Sequence, residues 1–351
     1  MSVSEPAKGG RVLVAMSGGV DSSVAAALLL EQGYDVTGVT LKLWGGESDS
    51  GCCSVSDVED ARRVAAQLDV PHYVFNFTDD FDDSVVTPYV DAYAAGRTPN
   101  PCVECNRSMK FGRLLERADA LGFDFLATGH HARITRTADG TCALRRGADP
   151  AKDQSYVLYM LGQRELARTL LPVGELTKAE VRAQARRLGL RTAQKPESMD
   201  VCFITRGGRE SFLAARTPAG AGVIVDTRGT TVGTHDGIAH FTVGQRRGLG
   251  VAAGERRYVV DVDADTATIT VGARDDLLRD AVELRDLVFA DGPISPPVGD
   301  LLAQARAHGD PVAAVLDGAT VRFGSPQPRV APGQVVALYD GDALVGGGIA
   351  T

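Results

Sequence analysis

The sequence lacks the features of membrane-bound and disulfide-stabilised proteins. Its 351 residues include six cysteines, too few to form the disulfide framework of a secreted protein of this length. No apolar run reaches the roughly 20 residues that a membrane-spanning helix needs. Residues 2–10 are polar, so no signal peptide is visible. We therefore expect a cytosolic protein without a membrane partner.

The sequence also lacks an excess of positive charge. It has 37 Lys and Arg against 45 Asp and Glu, which gives a formal net charge of -8 and a pI near 5.3. This balance excludes a protein that coats nucleic acid indiscriminately, but it leaves room for a local basic face. The length suggests two or three domains at about 150 residues each.

Residues 16–23, with the sequence M-S-G-G-V-D-S-S, form the most informative segment. They lie between an apolar run at 11–15 and a helical run at 24–30. A strand that ends in a glycine-rich loop before a helix gathers backbone N–H groups at the positive end of that helix, which makes an anion site. The alternative is an ordinary strand–turn–helix connection that needs two glycines.

The loop differs from both common phosphate-binding patterns. It has no G-K-[ST] ending, and Gly18 and Gly19 are adjacent rather than spaced as G-x-G-x-x-G. Residues 17–22 (S-G-G-V-D-S) instead resemble the pyrophosphatase-type loop, or PP-loop, of enzymes that split ATP between the α and β phosphates and adenylate a substrate. This resemblance implies that the loop binds ATP.

Strand and helix patterns alternate through the first half of the chain. The predicted strands are residues 34–43, 72–77 and 123–128, and the predicted helices are residues 56–68, 79–95 and 110–121. This alternation predicts an α/β fold with a parallel sheet and a ligand at the carboxyl ends of its strands. Both the glycine loop and the pair Gly129 and His130 would lie along that edge.

Short alternating strands separated by glycine replace this pattern from about residue 222. Before that point, residues 132–147 predict a hairpin that turns at Asp139 and Gly140. The last part of the chain is similar to a small β-barrel. We expect an α/β domain with the phosphate loop (1–205), a small central β-rich domain (206–275) and a C-terminal β-barrel (276–351).

Cys102 and Cys105 form a C-x-x-C pair after two prolines. Cys105 falls near the predicted start of a helix, with Arg107 and Lys110 close behind it, and both features favour thiolate over thiol. Cys105 is therefore a candidate reactive thiol. The alternative, half of a structural zinc site, is weakened because no second C-x-x-C or C-x-x-H pair supplies the other ligands. Cys202, followed by Phe and Ile, is by itself typical of a core residue.

Taken in order, these segments resemble the tRNA-specific 2-thiouridylase family, bacterial enzymes that replace the C2 oxygen of the wobble uridine with sulfur. The resemblance extends over nearly the whole chain. It includes the phosphate loop and residues 98–106 (T-P-N-P-x-x-x-C-N), 128–130, 152–155, 202–204, 242–249, 332–334 and 346–349. It implies a PP-loop domain of the adenine nucleotide alpha hydrolase type, with the central domain and the barrel gripping the tRNA.

The resemblance also implies roles for matching residues. Cys105 would be the catalytic nucleophile, and Cys202 would carry the incoming sulfur as a persulfide. ATP would be held by Ala15, Met16, Ser17, Gly18, Gly19, Val20, Asp21, Ser22, Leu41 and Gly129. The target base would face Asn100, Pro101 and Cys102. The tRNA would contact His130, Lys152, Asp153, Gln154, Arg306 and Gln334.

The implied reaction activates a poor leaving group. The enzyme transfers AMP to the C2 oxygen and releases pyrophosphate, with Mg²⁺ expected to bridge the phosphates and Asp21 as a candidate ligand. A sulfur nucleophile then displaces AMP. Either the persulfide on Cys202 attacks directly, or Cys105 reduces it to hydrosulfide and leaves a Cys105–Cys202 disulfide, and both routes remain open.

Cys102 stands where familiar members of the family have aspartate. The change removes a carboxylate and supplies a third thiol, so that Cys102, Cys105 and Cys202 could together hold an iron–sulfur cluster with one open iron. The sequence favours neither the persulfide route nor the cluster route, and no metal ligand is certain. Cys52, Cys53 and Cys142 have no assigned role.

The resemblance implies two kinds of partner: the tRNAs for Lys, Glu and Gln, and a cysteine desulfurase or sulfur-relay protein. Two other functions stay open. One is another adenylating PP-loop enzyme, such as a lysidine synthase or an amide-forming synthetase, which would not need Cys105 and Cys202. The other is a non-catalytic RNA-binding or nucleotide-sensing protein that keeps the loop for structural reasons.

Overall fold

A computed structural model of the chain describes residues 9–44, 55–196, 201–204, 208–217, 220–251, 256–292, 298–307 and 309–351. Cys52 and Cys53 lie outside the described residues. Within these ranges, no helix is both long enough and apolar enough to cross a membrane.

The first sheet contains parallel strands in the order β3-β2-β1-β4-β7. The strands are β1 (Arg11–Ala15), β2 (Asp35–Lys42), β3 (His72–Asn76), β4 (Phe125–Ala127) and β7 (Thr169–Leu170). The predicted parallel sheet of an α/β domain is thereby confirmed. The short edge strand β7 is an addition to the three predicted strands and β1.

Helices cover both faces of this sheet. Successive side chains of a strand point to opposite faces, so each strand contributes to two apolar clusters. Val12 and Val14 of β1 belong to one apolar cluster and Leu13 to another, and all three are fully buried. The cluster around Val12 includes residues of α1 (Val20–Glu31), α2 (Val55–Gln67) and α8 (Lys178–Arg187).

Two longer helical segments pack on the Leu13 face. The first consists of α3 (Thr78–Phe81), a π-helical turn (Asp82–Val86) and α4 (Thr87–Ala94), and the second of α5 (Pro101–Glu104), a π-helix (Cys105–Arg113) and α6 (Leu114–Ala120). The helix expected at 79–95 therefore forms, but the one expected from residue 110 begins earlier. It begins at Pro101 because Asn100 caps it and proline fits the first helical position.

The central sheet has the order β10-β11-β8-β9. Its strands are β8 (Gly222–Asp226), β9 (Thr231–His235), β10 (Tyr258–Asp263) and β11 (Thr268–Gly272). β8 and β11 are parallel, and the other neighbours are antiparallel. Helix α9 (Gly208–Ala214) precedes this sheet, and 3-10 turns occupy Ile238–His240 and Asp275–Leu277.

The last sheet closes into the predicted β-barrel. Its strands are β12 (Leu278–Phe289), β13 (Val298–Gln304), β14 (Val312–Asp317), β15 (Thr320–Pro328), β16 (Val335–Asp340) and β17 (Ala343–Ala350). Antiparallel pairing of β12 with β17 joins the two ends of the row. Closure removes the open strand edges, which are otherwise prone to aggregate.

The predicted hairpin forms from β5 (Ala132–Arg136) and β6 (Cys142–Arg146), but it belongs to the barrel sheet. β6 pairs with β17, and Asp342 next to β17 accepts hydrogen bonds from Arg133, at 2.8 Å, and from Arg145. The hairpin therefore connects the α/β domain to the barrel. The remaining helical turns are Ser155–Leu158, α7 (Gln163–Ala167) and Arg191–Gln194.

Candidate active site

The phosphate loop connects β1 to α1 and is held by its own serines. The backbone N–H of Ser17 donates to Ser22 Oγ at 3.2 Å, and the hydroxyls of Ser22 and Ser23 donate to the carbonyl of Gly19 at 3.2 and 2.8 Å. Gly18 has φ +72°, and a Cβ there would press on the backbone of Asp57 in α2. Only glycine fits this position.

Gly129 brings the end of β4 against the loop. A Cβ on Gly129 would lie 2.6 Å from the backbone nitrogen of Ser22 and 2.7 Å from the carbonyl carbon of Asp21. The glycine loop and the pair Gly129 and His130 thus lie at one sheet edge, as predicted. On the other side, Thr40 Oγ1 donates to the carbonyl of Met16 at 2.7 Å, and His72 Nε2 lies 2.9 Å from Thr40 Oγ1.

Asp21, in the first turn of α1, is bound by two basic side chains. Lys178 Nζ donates to both carboxylate oxygens, at 2.8 and 2.6 Å, and His131 Nε2 lies 3.2 Å from Oδ1. Burial alone would raise the pKa of this carboxyl, but the hydrogen bonds from His131 and Lys178 outweigh it and hold the pKa below its usual value. A role for Asp21 as a Mg²⁺ ligand would require these contacts to open.

The segment with Cys105 is fixed by a helix cap. Asn100 Oδ1 accepts hydrogen bonds from the backbone N–H of Cys102 at 3.1 Å and of Val103 at 3.4 Å. Cys105 is buried and begins the π-helix, in which hydrogen bonds join residues i and i+5. Lys110 therefore lies about one turn after Cys105 along this helix.

Lys110 connects this segment to the end of β4. Its Nζ lies 3.5 Å from Nε2 of His130, whose Nδ1 lies 2.7 Å from Thr128 Oγ1. Burial, together with the charge on Lys110, lowers the pKa of His130 well below its usual value, so this imidazole is neutral. The phosphate loop and the Cys105 helix thus meet through Gly129 and His130.

Cys202 is positioned by the aromatic residue that follows it. Phe203 is fully buried, and its ring centroid lies 5.3 Å from that of Tyr89 in α4 and 5.7 Å from that of Phe81. Burial raises the pKa of Tyr89, and the nearby Cys102 contributes to the shift. Cys202 packs against the large apolar cluster that contains Cys105 and Tyr89.

The three thiols do not form a metal-binding group in this conformation. Among the described residues, which include Cys102, Cys105 and Cys202, no three His, Cys, Asp or Glu side chains are arranged to hold a metal ion. Cys102, Cys105 and Cys202 therefore do not converge on a single metal ion.

The residues predicted to contact tRNA occupy different environments. Asp153 is buried, and its carboxylate accepts hydrogen bonds from Arg146 at 3.0 Å and from the backbone and hydroxyl of Ser155. His130 is also buried, Lys152 is half-buried, and Gln154 and Arg306 are exposed. These predicted tRNA contacts stay predictions.

Gln334 lies where the barrel contacts the loop that precedes Asn100. Its Nε2 donates to the carbonyl of Thr98 at 2.8 Å, while the N–H of Thr98 donates to the carbonyl of Pro332 at 2.7 Å. A Cβ on Gly333 would lie 3.2 Å from the backbone of Thr98. The barrel thus fixes the loop that leads into Asn100 and the Cys105 helix.

Sequence reasoning missed Lys178 and His131. Lys178 is the first residue of α8, and Thr177 before it forms a capping box with Glu180, in which Glu180 Oε2 accepts from the Thr177 N–H at 2.7 Å. That box is a readable signal for the helix start. Nothing local indicates that the lysine beside it reaches a loop more than 150 residues away.

Three family models match the chain in order. They are the tRNA methyl transferase HUP domain at residues 10–206, the tRNA methyl transferase PRC-barrel domain at 210–273 and the aminomethyltransferase beta-barrel domain at 279–350. The chain therefore consists of a HUP-type α/β unit, a PRC-barrel unit and a β-barrel unit.

Curated relatives match almost the full length. The tRNA-specific 2-thiouridylase MnmA of Roseiflexus sp. (strain RS-1) is 47% identical over 96% of this chain and 98% of its own. That of Herpetosiphon aurantiacus is 48% identical over 96% and 97%. A solved 4-thiouridine synthetase–RNA complex with bound ATP is 20% identical, with a TM-score of 0.38, over 60% of this chain and 46% of that one, which is too distant to inform the site.

Two of the family models carry a methyltransferase name, whereas the relatives are named as thiouridylases. The relatives decide between these names, because their identity is high and spans 96% of the chain. The chain belongs to the tRNA-specific 2-thiouridylase family, whose members are tRNA sulfurtransferases.

Proposed function

We propose that this protein catalyses the ATP-dependent 2-thiolation of the wobble uridine, position 34, of tRNA. The observation that carries the proposal is the junction at β4. Gly129 packs on the phosphate loop, and the next residue, His130, reaches Lys110, about one turn from Cys105. This chain of contacts supports a reaction that activates an oxygen at the loop and then replaces it with sulfur carried by the thiols.

The first half-reaction would take place over the phosphate loop. ATP binds to residues 15–22 together with Leu41 and Gly129, and its α-phosphorus accepts the C2 oxygen of the uridine while pyrophosphate leaves. Bound Mg²⁺ supplies charge neutralisation of the phosphates. The N–H groups at the start of α1 would donate hydrogen bonds to the leaving pyrophosphate and stabilise its charge.

The second half-reaction would use Cys202 and Cys105. The terminal sulfur of a Cys202 persulfide attacks C2 and AMP leaves, which links the base to Cys202 through a disulfide. The Cys105 thiolate then attacks the Cys202 sulfur, releasing 2-thiouridine and leaving a Cys105–Cys202 disulfide that an external thiol reduces. In the variant route, Cys105 attacks first and liberates hydrosulfide. Both routes end in the same disulfide.

We propose the persulfide route, which needs only Cys105 and Cys202, over an iron–sulfur cluster, which also needs Cys102 as a ligand. Anaerobic purification followed by iron and sulfide analysis tests this choice. Colourless protein that thiolates tRNA at full rate supports the persulfide. Stoichiometric iron and sulfide that are required for activity would support the cluster.

The central test is mass analysis of tRNA nucleosides after incubation with ATP and a sulfur donor such as a cysteine desulfurase. We expect 2-thiouridine derivatives in the tRNAs for Lys, Glu and Gln. Cys202→Ser and Cys105→Ser should each abolish thiolation but retain ATP binding. Pyrophosphate release that depends on tRNA but yields no thiolated nucleoside would favour another adenylating PP-loop enzyme. Absence of tRNA-dependent pyrophosphate release would favour a non-catalytic protein.

A further inference from the structure

The contact between Lys178 and Asp21 joins the start of α8 to the first turn of α1, next to the glycines of the phosphate loop. The reaction outlined above does not use this contact. Both oxygens of Asp21 accept from the lysine ammonium at 2.8 and 2.6 Å. The Lys178 side chain is 14% exposed, and that of Asp21 is 29% exposed. The pair is thus sheltered but open to solvent on the Asp21 side.

The surroundings of this pair favour an anion. Asp21 belongs to the first turn of α1, and Lys178 is the first residue of α8, so the positive ends of two helices lie within one lysine side chain of each other. Each end carries a partial positive charge. His131 lies on the same carboxylate, at 3.2 Å. The Asp21 carboxylate therefore faces a lysine, a histidine and the positive ends of two helices.

A polyphosphate at the loop would compete with that carboxylate for the ammonium. It brings several negative charges and many acceptor oxygens, whereas Asp21 brings one charge. Lysine is well suited to such an exchange, because its ammonium is a compact point charge with three rotatable donors on a flexible stem. Its flexible stem lets the ammonium change partners when phosphate oxygens bind beside it.

We propose that Lys178 is a ligand of the nucleotide polyphosphate, held in place by Asp21 until the polyphosphate arrives. Asp21 keeps the ammonium oriented at the start of α1, and the phosphate oxygens then replace the carboxylate as its partner. This inference rests on the proposed function, since it assumes that the loop binds ATP and releases pyrophosphate.

The test measures pyrophosphate binding to the full-length protein by calorimetry, without Mg²⁺ or tRNA. We expect Lys178→Gln to weaken binding by about 10- to 100-fold, the effect of losing one hydrogen bond to a charged group. Arg187→Gln is the matched control, because Arg187 also joins α8 to α1, through an exposed ion pair with Glu31 at 2.7 Å. It should leave the affinity unchanged.

Asp21→Asn should change pyrophosphate affinity in the opposite direction, and it tests the exchange of partners at the Lys178 ammonium. Without the competing carboxylate, Mg²⁺-free pyrophosphate should bind more tightly than to the wild type, and this gain should vanish in the double variant with Lys178→Gln. Equal affinities of Lys178→Gln and Arg187→Gln, or a gain that survives in the double variant, would overturn the role of Lys178. If the wild type binds neither pyrophosphate nor ATP, the proposed function fails as well. Lys178→Arg should restore most of the affinity.

Discussion

Alanine substitutions at Gly18 and Gly33 separate the cost of backbone strain from the cost of steric overlap in the phosphate loop. Gly18 and Gly33 both have positive φ, +72° and +87°. A Cβ on Gly33 would have no neighbour within 4 Å, but a Cβ on Gly18 would lie 2.9 Å from the carbonyl carbon of Asp57 and closer still to its oxygen. Gly18→Ala and Gly33→Ala therefore share the backbone cost, and only the first adds an overlap with α2.

The magnitudes follow from these two terms. A positive φ costs an L-residue about 1–2 kcal/mol, which is the whole effect expected on the free energy of unfolding for Gly33→Ala. Overlap with a packed backbone adds about 1–3 kcal/mol, so Gly18→Ala should cost about 2–5 kcal/mol. Asp57 is also bound to Lys195 at 2.6 Å, which restrains α2. We therefore expect the loop to move and ATP to bind more weakly.

Urea denaturation followed by circular dichroism measures the stabilities, and calorimetry measures ATP affinity. Gly33→Ala should bind ATP like the wild type. The reasoning is refuted if Gly18→Ala unfolds at the same urea concentration as Gly33→Ala and retains wild-type ATP affinity.

Three further predictions concern buried polar contacts. Asp153→Ala should lower the free energy of unfolding by about 3 kcal/mol or more, because it leaves Arg146 without its carboxylate; a loss of tRNA affinity with unchanged denaturation would instead indicate a direct contact. Gln334→Ala removes the hydrogen bond to Thr98 and should slow sulfur transfer more than it weakens tRNA binding, which single-turnover kinetics and filter binding separate. The pKa of Asp21 in the folded state is below its ordinary value of 3.8, so its ion pair stabilises the protein above that pH and loses this effect as the pH falls through the folded pKa. The stability difference between wild type and Asp21→Asn should therefore shrink below about pH 4, as acid titration of the denaturation midpoint would measure.

The parts of the fold that rest on local patterns could be predicted. The alternation of strands and helices specified the parallel sheet, and the turn at Asp139 and Gly140 specified the hairpin. The helix start at Pro101 has a signal in the sequence, since Asn before Pro is typical of a helix cap. The prediction placed the start at residue 110 instead, because the periodic apolar pattern becomes clear only there.

Other features depend on tertiary packing and have no local signal. The π-helix from Cys105 to Arg113 changes the side-chain spacing by one residue per turn, which no periodicity in the sequence specifies. The Lys178–Asp21 pair joins distant segments, and the attachment of β6 to β17 places an early hairpin in the last sheet. The residues of the site were readable as motifs, but their partners were not.

The hydrogen bonds from Thr98 to Pro332 and from Gln334 to Thr98 have a consequence for synthesis on the ribosome. The phosphate loop and strands β1 to β4 are made within the first 130 residues or so, and α8, which packs on the same face of the sheet, ends at Arg187. The loop that leads to Cys105 acquires its two hydrogen bonds only after Pro332 and Gln334 emerge from the exit tunnel. We therefore expect nascent chains to complete the candidate nucleotide site before the barrel orders the segment that leads to Cys105.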